Sequence, residues 1–461
     1  MSGRAVSDAL AFALFVVLAR AFGPEGAGIY AFNFAIATIL YEIVALGVEE
    51  YGVREFSRDP DNGPRLIGRL LKVQIAFALL GCAVLALLSP TLLEAHPALL
   101  ALMVLYQLAL AAARTLFIPA FVNGHLAVQT LGEIVARSGA LLFAVLVTQH
   151  SATPSLTRAV VGLPLFVAGL LILALSSAVK HGGLAFAGTS LKDDLSAMRP
   201  VWSFAASNLL SSVYARTGIV VLFLMLGEST AGLFSSAFKF MEVGWTVLAL
   251  VPWAGYPLLV RAFVERSDEF HAIAKHVLHG TLLCGALMAW GLFWVVPWLI
   301  GPLLGSDFSD AVPVLKALAG IMVLVAISEY LERLLIVADL RDARLRILAL
   351  QTVLNVALNL VLIPWMGIFG TVVAFALTQF FTIGAFYSTL RSRTPLGWAV
   401  RDAGLIGMCI LLAIAIGGAM LNFELRPGLA AAGSLLGVIL AALAMFAARF
   451  SRNARGSASR F

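Results

Sequence analysis

Fourteen apolar runs dominate this sequence, and each is long enough to cross the hydrocarbon core of a membrane as an α-helix. Of the 461 residues, 61% are hydrophobic and only 12% are charged, whereas a soluble domain carries about 25% charged residues. No connection between the runs is long enough to form a soluble domain, so most of the surface must face lipid. The pattern predicts an all-α, polytopic membrane protein with about 14 transmembrane helices. The predicted spans are 5–22, 29–47, 67–88, 98–119, 126–148, 156–180, 201–226, 231–256, 276–300, 312–337, 345–363, 368–390, 404–421 and 428–449.

Lysine and arginine are concentrated in every second connection between these spans. If the N-terminus is cytoplasmic, most of the 31 basic residues fall on the cytoplasmic side. The opposite loops at 89–97, 227–230, 301–311 and 364–367 hold none. This bias obeys the positive-inside rule and predicts that both termini are cytoplasmic.

A glycine-rich hairpin motif occurs twice, 204 positions apart. The first copy, GPEGAGIYAFNF, runs from Gly23 to Phe34, and the second, GESTAGLFSSAF, runs from Gly227 to Phe238. Six spans separate the copies, so both should lie on the periplasmic face, and the two halves form a parallel repeat. A second echo, LAVQT at 126–130 and LALQT at 348–352, supports this organisation. Such repeats are typical of transporters whose substrate path runs between two similar halves.

The repeat predicts three regions. Residues 1–190 form an N-terminal six-helix bundle, 191–395 form a C-terminal six-helix bundle, and 396–461 add two transmembrane helices with a basic cytoplasmic tail. The first span is near the lower limit for crossing a bilayer, so we expect a few residues to precede Met1. The N-terminal run has features of a signal peptide, but its repeat counterpart lies inside the chain and cannot be cleaved.

Several classes of protein are disfavoured by the same composition. Cys82, Cys284 and Cys409 are scattered in apolar runs and offer neither a disulfide framework nor zinc-ligand spacing. The seven histidines contain no H-E-x-x-H pattern, and no cofactor or metal is expected. The net charge of +6 lies in short loops between spans, so no nucleic-acid partner is expected.

Several short motifs occur along the chain. Each is weak alone, but their order and spacing together are specific for one family. The second half contains Arg199-Pro200, Val213-Tyr-Ala-Arg216, Leu299-Ile-Gly-Pro-Leu-Leu-Gly305 and the segment Asn355 to Gly370, while the first half contains Ala19-Arg-Ala-Phe-Gly-Pro24 and Gly28-Ile-Tyr30. Over about residues 10–395 the chain resembles the polysaccharide transporter family of lipid-linked oligosaccharide and O-antigen flippases. That family belongs to a superfamily that also holds multidrug/toxin extrusion antiporters and lipid II flippases.

The resemblance implies a flippase of the bacterial inner membrane. Such a protein moves an undecaprenyl-pyrophosphate-linked oligosaccharide from the cytoplasmic to the periplasmic leaflet by alternating access, for lipopolysaccharide O-antigen or exopolysaccharide synthesis. It implies no enzymatic chemistry, and it implies membrane lipids, glycosyltransferases and a polysaccharide polymerase as partners. Family members often carry an acidic residue two places after the span-7 arginine. Here Arg216 is followed by Thr217 and Gly218, so no coupling role can be carried over to that position.

Charged residues inside the spans are the candidate functional residues, because a mid-bilayer charge costs about 2.5–3.5 kcal/mol even on insertion scales. Each must therefore face a partner or a wet cavity. Helical spacing predicts three pairs on single helices, each either a structural ion pair or a pair whose basic member lines a central cavity: Glu133 with Arg137, Lys239 with Glu242, and Glu329 with Arg333.

Arg216 is the leading candidate for substrate binding. Span 7 offers it no acidic residue at helical spacing, and a planar guanidinium suits a pyrophosphate. The alternative for Arg216, and for the basic residues of spans 4 and 10, is snorkelling to an interface. The predicted pyrophosphate-binding residues are Arg216, Arg333, Arg114 and Lys239, and the predicted ion-coupling or pairing residues are Asp8, Glu42, Glu242 and Glu329.

Three other functions stay open at this stage. A multidrug or cation antiporter of the same superfamily would need carboxylates rather than arginines in its cavity. A major-facilitator transporter is also built from two six-helix halves, but loop 48–66 lacks the G-x-x-x-D-R-x-G-R-R pattern. A polysaccharide polymerase or ligase would need a large periplasmic loop, and each predicted periplasmic loop here is about a dozen residues or fewer.

Overall fold

The described part of the computed structural model is built from α-helices without a β-strand, and it comprises residues 2–92, 96–151, 154–185, 188–199, 202–265 and 269–391. One π-helical turn, Gly291–Val295, interrupts a long helix, and a short 3-10 turn covers Ser306–Phe308. The helices are α1 Ser2–Ala45, α2 Val48–Arg58, α3 Gly63–Leu92, α4 Pro97–Val122, α5 Leu126–His150, α6 Leu156–Val160, α7 Gly162–His181, α8 Leu191–Ala197, α9 Trp202–Leu226, α10 Glu228–Val264, α11 Phe270–Trp290, α12 Val296–Leu304, α13 Ala311–Val337, α14 Arg341–Met366 and α15 Ile368–Arg391.

The predicted spans correspond closely to these helices. Eleven helices of the described chain are long and apolar enough to cross a membrane. The first of them, Ala5–Arg58, contains both span 1 and span 2, because the two helices meet at a kink at Gly23 rather than at a loop. The protein is therefore a multi-pass membrane protein of the predicted class. Predicted spans 13 and 14, and the basic tail, lie outside the described residues.

Both copies of the glycine motif begin at a residue with positive φ. Gly23 has φ 67° and Gly227 has φ 86°, a region that a side chain with a Cβ adopts only with strain. Each glycine therefore turns the chain between two spans without the insertion of a loop. The repeat is thus visible in the backbone as well as in the residue types.

The described chain folds into two compact units. Unit 1 is Met1–Ser235 with Leu303–Asp307, and unit 2 consists of the described residues of Ser236–Pro302 and of Phe308–Phe461. Unit 1 holds α1 to α9 and the first turns of α10. Unit 2 holds the rest of α10, all of α11, most of α12, and α13 to α15.

Within unit 1 the glycines at the sixth position of the two motifs, Gly28 and Gly232, touch each other. A Cβ atom built on Gly28 would lie 2.9 Å from the backbone nitrogen of Gly232, and one built on Gly232 would lie 2.9 Å from that of Gly28. Each such Cβ would also overlap a carbonyl oxygen of the opposite motif, that of Glu228 or of Pro24. Only glycine lets the two backbones come this close.

Helix α13 is the most buried span of unit 2. It is apolar on nearly all sides, as expected for a helix surrounded by other helices. Beside it, α14 and α15 are joined by a seam of buried polar side chains. Asn355 Nδ2 donates to Thr378 Oγ1 at 3.3 Å, and Asn359 Nδ2 donates to Asn355 Oδ1 at 3.1 Å. The bond from Asn355 to Thr378 joins the two helices, and such a bond is worth roughly 0.6 kcal/mol in a membrane and fixes how two helices face each other. The bond from Asn359 to Asn355 lies within α14.

Candidate functional site

In unit 1, the intramembrane arginine of α4 is held by acceptors on two neighbouring helices. Arg114 Nε lies 3.3 Å from Glu133 Oε1 on α5, and Arg114 Nη1 donates to the Tyr41 hydroxyl at 2.9 Å. Gln129 Nε2 donates to the same carboxylate oxygen at 3.3 Å. The charge of Arg114 is therefore already compensated inside the unit.

The predicted pair between Glu133 and Arg137 is wrong. Arg137 turns away toward α1, where its Nη1 lies 3.6 Å from Asp8 Oδ1 and donates to the Ser7 carbonyl at 2.8 Å. Glu133 instead meets Arg114, because tertiary packing brings a stronger partner from the next helix. Each of these two ion pairs therefore connects two helices instead of two turns of α5.

Glu42 and Arg216 lie in the same charged region of unit 1. The Glu42 carboxylate interacts electrostatically with the guanidinium groups of Arg114 and Arg216. Arg216 is half-buried, and its Cζ lies 6.0 Å from the centre of the Phe34 ring. Span 7 itself offers no carboxylate, so the charges that Arg216 feels come from other helices.

A small cavity of about 10 Å³ lies between α4, α5 and α7, next to Glu133 and Arg137. Tyr106, Glu133 and Arg137 contribute its polar wall. A volume of roughly 10–15 Å³ accommodates one water molecule, so this cavity is far too small for a sugar. In the described residues no group of three His, Cys, Asp or Glu side chains is placed to hold a metal ion.

In unit 2, the predicted pair on α10 is present. Lys239 Nζ donates to Glu242 Oε2 at 2.6 Å, with both side chains about one quarter exposed. The ammonium group therefore has a carboxylate one helical turn away.

The predicted pair between Glu329 and Arg333 is wrong in the same way as that of α5. Glu329 Oε1 accepts a hydrogen bond of 2.8 Å from the indole nitrogen of Trp245 on α10. The neighbouring Glu332 is bound by Arg344 of α14, with 2.6 Å between Nη2 and Oε1. Both carboxylates of α13 thus have partners on other helices.

Arg333 is the buried cation left over by these pairings. It is 7% exposed, and its Cζ lies 4.0 Å from the centre of the Trp253 ring. Its Nε has no hydrogen-bond partner in the described structure. None of the ion pairs formed by the described residues includes it, although Glu329 influences it through space from one turn away. A guanidinium stacked on an aromatic face keeps its in-plane donors free for an anion.

The sequence-based reading missed Trp245 and Trp253. Aromatic residues inside an apolar span look like lipid-facing or core residues, so neither was distinguished from the rest. A signal did exist: Trp245 and Trp253 are eight positions apart on α10, which places them on one helix face. The buried polar seam on α14 was also missed, although Gln351, Asn355 and Asn359 recur at a spacing of four.

Comparison with solved structures identifies the fold. Lipid II flippase MurJ in an inward closed conformation matches with a TM-score of 0.72 and 14% identity, covering 97% of each chain. An inward-facing multidrug resistance MATE family transporter of the MOP superfamily matches with a TM-score of 0.67 and 13% identity, covering 87% of this chain and 95% of that one. A MOP superfamily transporter from Pyrococcus furiosus, described as having reverse polarity of its binding pocket, matches with a TM-score of 0.57 and 13% identity, over 87% and 93% of the chains.

The family is shown by sequence. No curated protein sequence matches the chain. The family of polysaccharide biosynthesis proteins matches residues 1–263, which is more than half of the 461 residues. The chain belongs to the polysaccharide biosynthesis protein family.

Proposed function

We propose that this protein is a flippase for an undecaprenyl-pyrophosphate-linked oligosaccharide. It moves the lipid-linked sugar from the cytoplasmic to the periplasmic leaflet of the bacterial inner membrane by alternating access, and it catalyses no covalent chemistry. Membership of the polysaccharide biosynthesis family and the fold of MOP superfamily transporters support this proposal. The bias of lysine and arginine supports cytoplasmic termini.

The observation that carries the proposal is that Arg333 is buried and that its Nε has no hydrogen-bond partner in the described residues. A buried guanidinium without an ion-pair partner in the described chain requires an anion, and a pyrophosphate matches its planar fork with two parallel hydrogen bonds. Of the other basic candidates, Arg114 and Lys239 already hold carboxylates at 3.3 and 2.6 Å. We therefore propose Arg333 as the main pyrophosphate-binding residue of unit 2, and Arg216, Arg114 and Lys239 stay the other basic residues proposed for substrate binding.

The chemistry of the substrate defines the partners. Glycosyltransferases must build the lipid-linked sugar on the cytoplasmic side, and a polysaccharide polymerase must use it on the periplasmic side. Asp8, Glu42, Glu242 and Glu329 are the carboxylates we propose for ion coupling or for charge pairing. Three of them already contact a basic group or an indole donor, which favours the pairing role for those three.

The test is export of the cognate surface polysaccharide in a strain whose own copy of the gene is deleted. We expect Arg333→Ala and Arg216→Ala to abolish export at unchanged protein level, with the lipid-linked intermediate accumulating in the cytoplasmic leaflet. Arg261→Ala is the matched control, because the Arg261 side chain is 77% exposed and, among the described residues, forms its ion pair with the neighbouring Glu265. Normal export in both variants would exclude these arginines from transport.

A cation antiporter is the competing function, since MATE transporters share the fold. A cationic drug would be repelled by the buried guanidinium of Arg333. The deletion strain should therefore keep its resistance to cationic dyes and drugs while losing surface polysaccharide. Loss of drug resistance with intact polysaccharide would favour the antiporter.

A further inference from the structure

Trp253 forms an aromatic corner on α10 together with the residue one turn further on. Its ring and that of Tyr256 are 6.0 Å apart and inclined by 60°, close to an edge-to-face contact. Arg333 covers one face of the indole at 4.0 Å. The corner thus consists of two polar-tipped aromatic rings with a fixed cation behind one of them.

The indole of Trp253 is open, although the cation against it is buried. Trp253 is 49% exposed, whereas Arg333 is only 7% exposed. Since the guanidinium occupies one indole face, much of the exposed area belongs to the rest of the ring. An open aromatic surface therefore lies next to a buried cation whose Nε has no partner in the described residues.

Helix length predicts that the corner lies near the level of the lipid headgroups. Trp253 is 25 residues from the start of α10 at Glu228, or about 38 Å at 1.5 Å per residue. This exceeds the ~30 Å hydrocarbon core. Arg333 lies in the last turns of α13, which ends at Val337. Both residues are therefore near the helix ends that the positive-inside rule predicts to be cytoplasmic.

We propose that Trp253 and Tyr256 form a subsite for the first pyranose ring of the substrate, next to a pyrophosphate held by Arg333. The negative face of an indole attracts the C–H groups of a sugar ring, which carry partial positive charge. The guanidinium behind the indole holds the ring in place and binds the adjoining phosphate. This inference rests on the proposed function and adds that the protein recognises the sugar as well as the lipid pyrophosphate.

The test compares two probes that differ only in the sugar. They are undecaprenyl pyrophosphate and undecaprenyl pyrophosphate carrying a single N-acetylhexosamine, bound to full-length protein in phosphatidylcholine nanodiscs. We expect Trp253→Leu to weaken binding of the sugar-bearing probe about 10-fold and to leave the bare pyrophosphate probe unchanged. Trp253→Phe, which keeps an aromatic face, should lose only about 2-fold. Arg333→Ala should weaken both probes.

Two controls separate recognition from anchoring in lipid. Trp365 is 88% exposed and lies next to the last residue of α14, where an interfacial tryptophan is expected. Trp365→Leu should change neither affinity. Adding phosphatidylglycerol to the nanodiscs should not compete with the sugar-bearing probe; competition would identify an ordinary anionic lipid as the ligand and overturn the proposal.

The remaining outcomes distinguish the sugar subsite at Trp253 from the pyrophosphate site at Arg333. Equal weakening of both probes by Trp253→Leu would mean that Trp253 only positions Arg333, and the sugar subsite would be wrong. Unchanged binding in both tryptophan variants, with loss in Arg333→Ala, would remove the sugar subsite and leave the flippase proposal intact. Unchanged binding in Arg333→Ala would overturn the pyrophosphate site itself. Size-exclusion profiles of each variant show whether it is folded.

Discussion

Arg114 in unit 1 and Arg333 in unit 2 are arginines at similar places in corresponding spans of the repeat, yet their surroundings are opposite. Arg114 on α4 meets a carboxylate at 3.3 Å and a phenol at 2.9 Å, and its side chain is 30% exposed. Arg333 on α13 is more deeply buried and has an indole face as its close contact. Arg114 has a carboxylate that neutralises its charge, whereas no ion pair of the described residues includes Arg333.

The difference lies in the partners that the two arginines meet. Glu133 and Tyr41 use the donors of Arg114 to join α4, α5 and α1. On α13 the nearby carboxylates are taken by Trp245 and Arg344, which leaves the donors of Arg333 available. Burying a cation with such surroundings is costly unless an anion pairs with it.

The same substitution at both arginines is the strongest test of this contrast. Arg114→Met leaves Glu133 as a partly buried carboxylate without its cation, and we expect a loss of about 2–3 kcal/mol in the free energy of unfolding. Arg333→Met removes a buried charge and keeps an apolar side chain, so stability should change by less than about 1 kcal/mol. Denaturation in detergent measures both.

A compensating variant serves as the control. Arg114→Met combined with Glu133→Gln removes both charges and should recover most of the lost stability. If Arg333→Met were as destabilising as Arg114→Met, both arginines would be structural and the contrast would fail.

The second test concerns the indole donor that binds the Glu329 carboxylate. Trp245→Phe removes the 2.8 Å hydrogen bond to the Glu329 carboxylate, and a bond to a charged group is worth about 1.5–3 kcal/mol. We expect a loss near the lower value, since Trp245 is only half-buried. Melting temperature is the measurement. Glu329→Gln added to Trp245→Phe should restore stability, and a further drop would argue against the hydrogen bond as the cause.

The smallest effect is expected at the outer end of the unit 1 network. Asp8 is 48% exposed, and its partner Arg137 keeps a 2.8 Å hydrogen bond to the Ser7 carbonyl. Asp8→Asn should therefore cost less than about 1 kcal/mol, as for other exposed ion pairs. The difference should shrink further in high salt. A loss as large as that of Arg114→Met would mean that the ion pair of Asp8 with Arg137 stabilises unit 1 as much as the pair of Arg114 with Glu133.

Hydrophobicity and glycine placement predicted the fold well. Helices α3 to α5 and α13 to α15 begin and end within a few residues of the predicted spans, because in a bilayer every backbone group must be satisfied within a helix. The glycines at 23 and 227 marked the two sharp turns, since few other residues adopt positive φ there.

The partners of the charges could not be predicted from spacing along one helix. Glu133 and Arg137 are four residues apart, but the guanidinium of Arg114 and the carboxylate of Asp8 arrive from other helices. Only the packing of α1, α4 and α5 decides that competition. The role of Trp253 was hidden for a similar reason, because its meaning depends on Arg333, which is 80 positions away in the chain.

The contact between Gly28 and Gly232 is reciprocal. Each glycine faces the equivalent stretch of the other motif, Gly28 meeting Glu228 and Gly232 meeting Pro24. When residue i touches j and the counterpart of j touches the counterpart of i, the contact is isologous, the pattern made by two identical subunits about a two-fold axis. The two motifs therefore meet in a local contact of two-fold character. A bulkier residue at either glycine would disturb the backbone of both motifs at once, so the two glycines depend on each other.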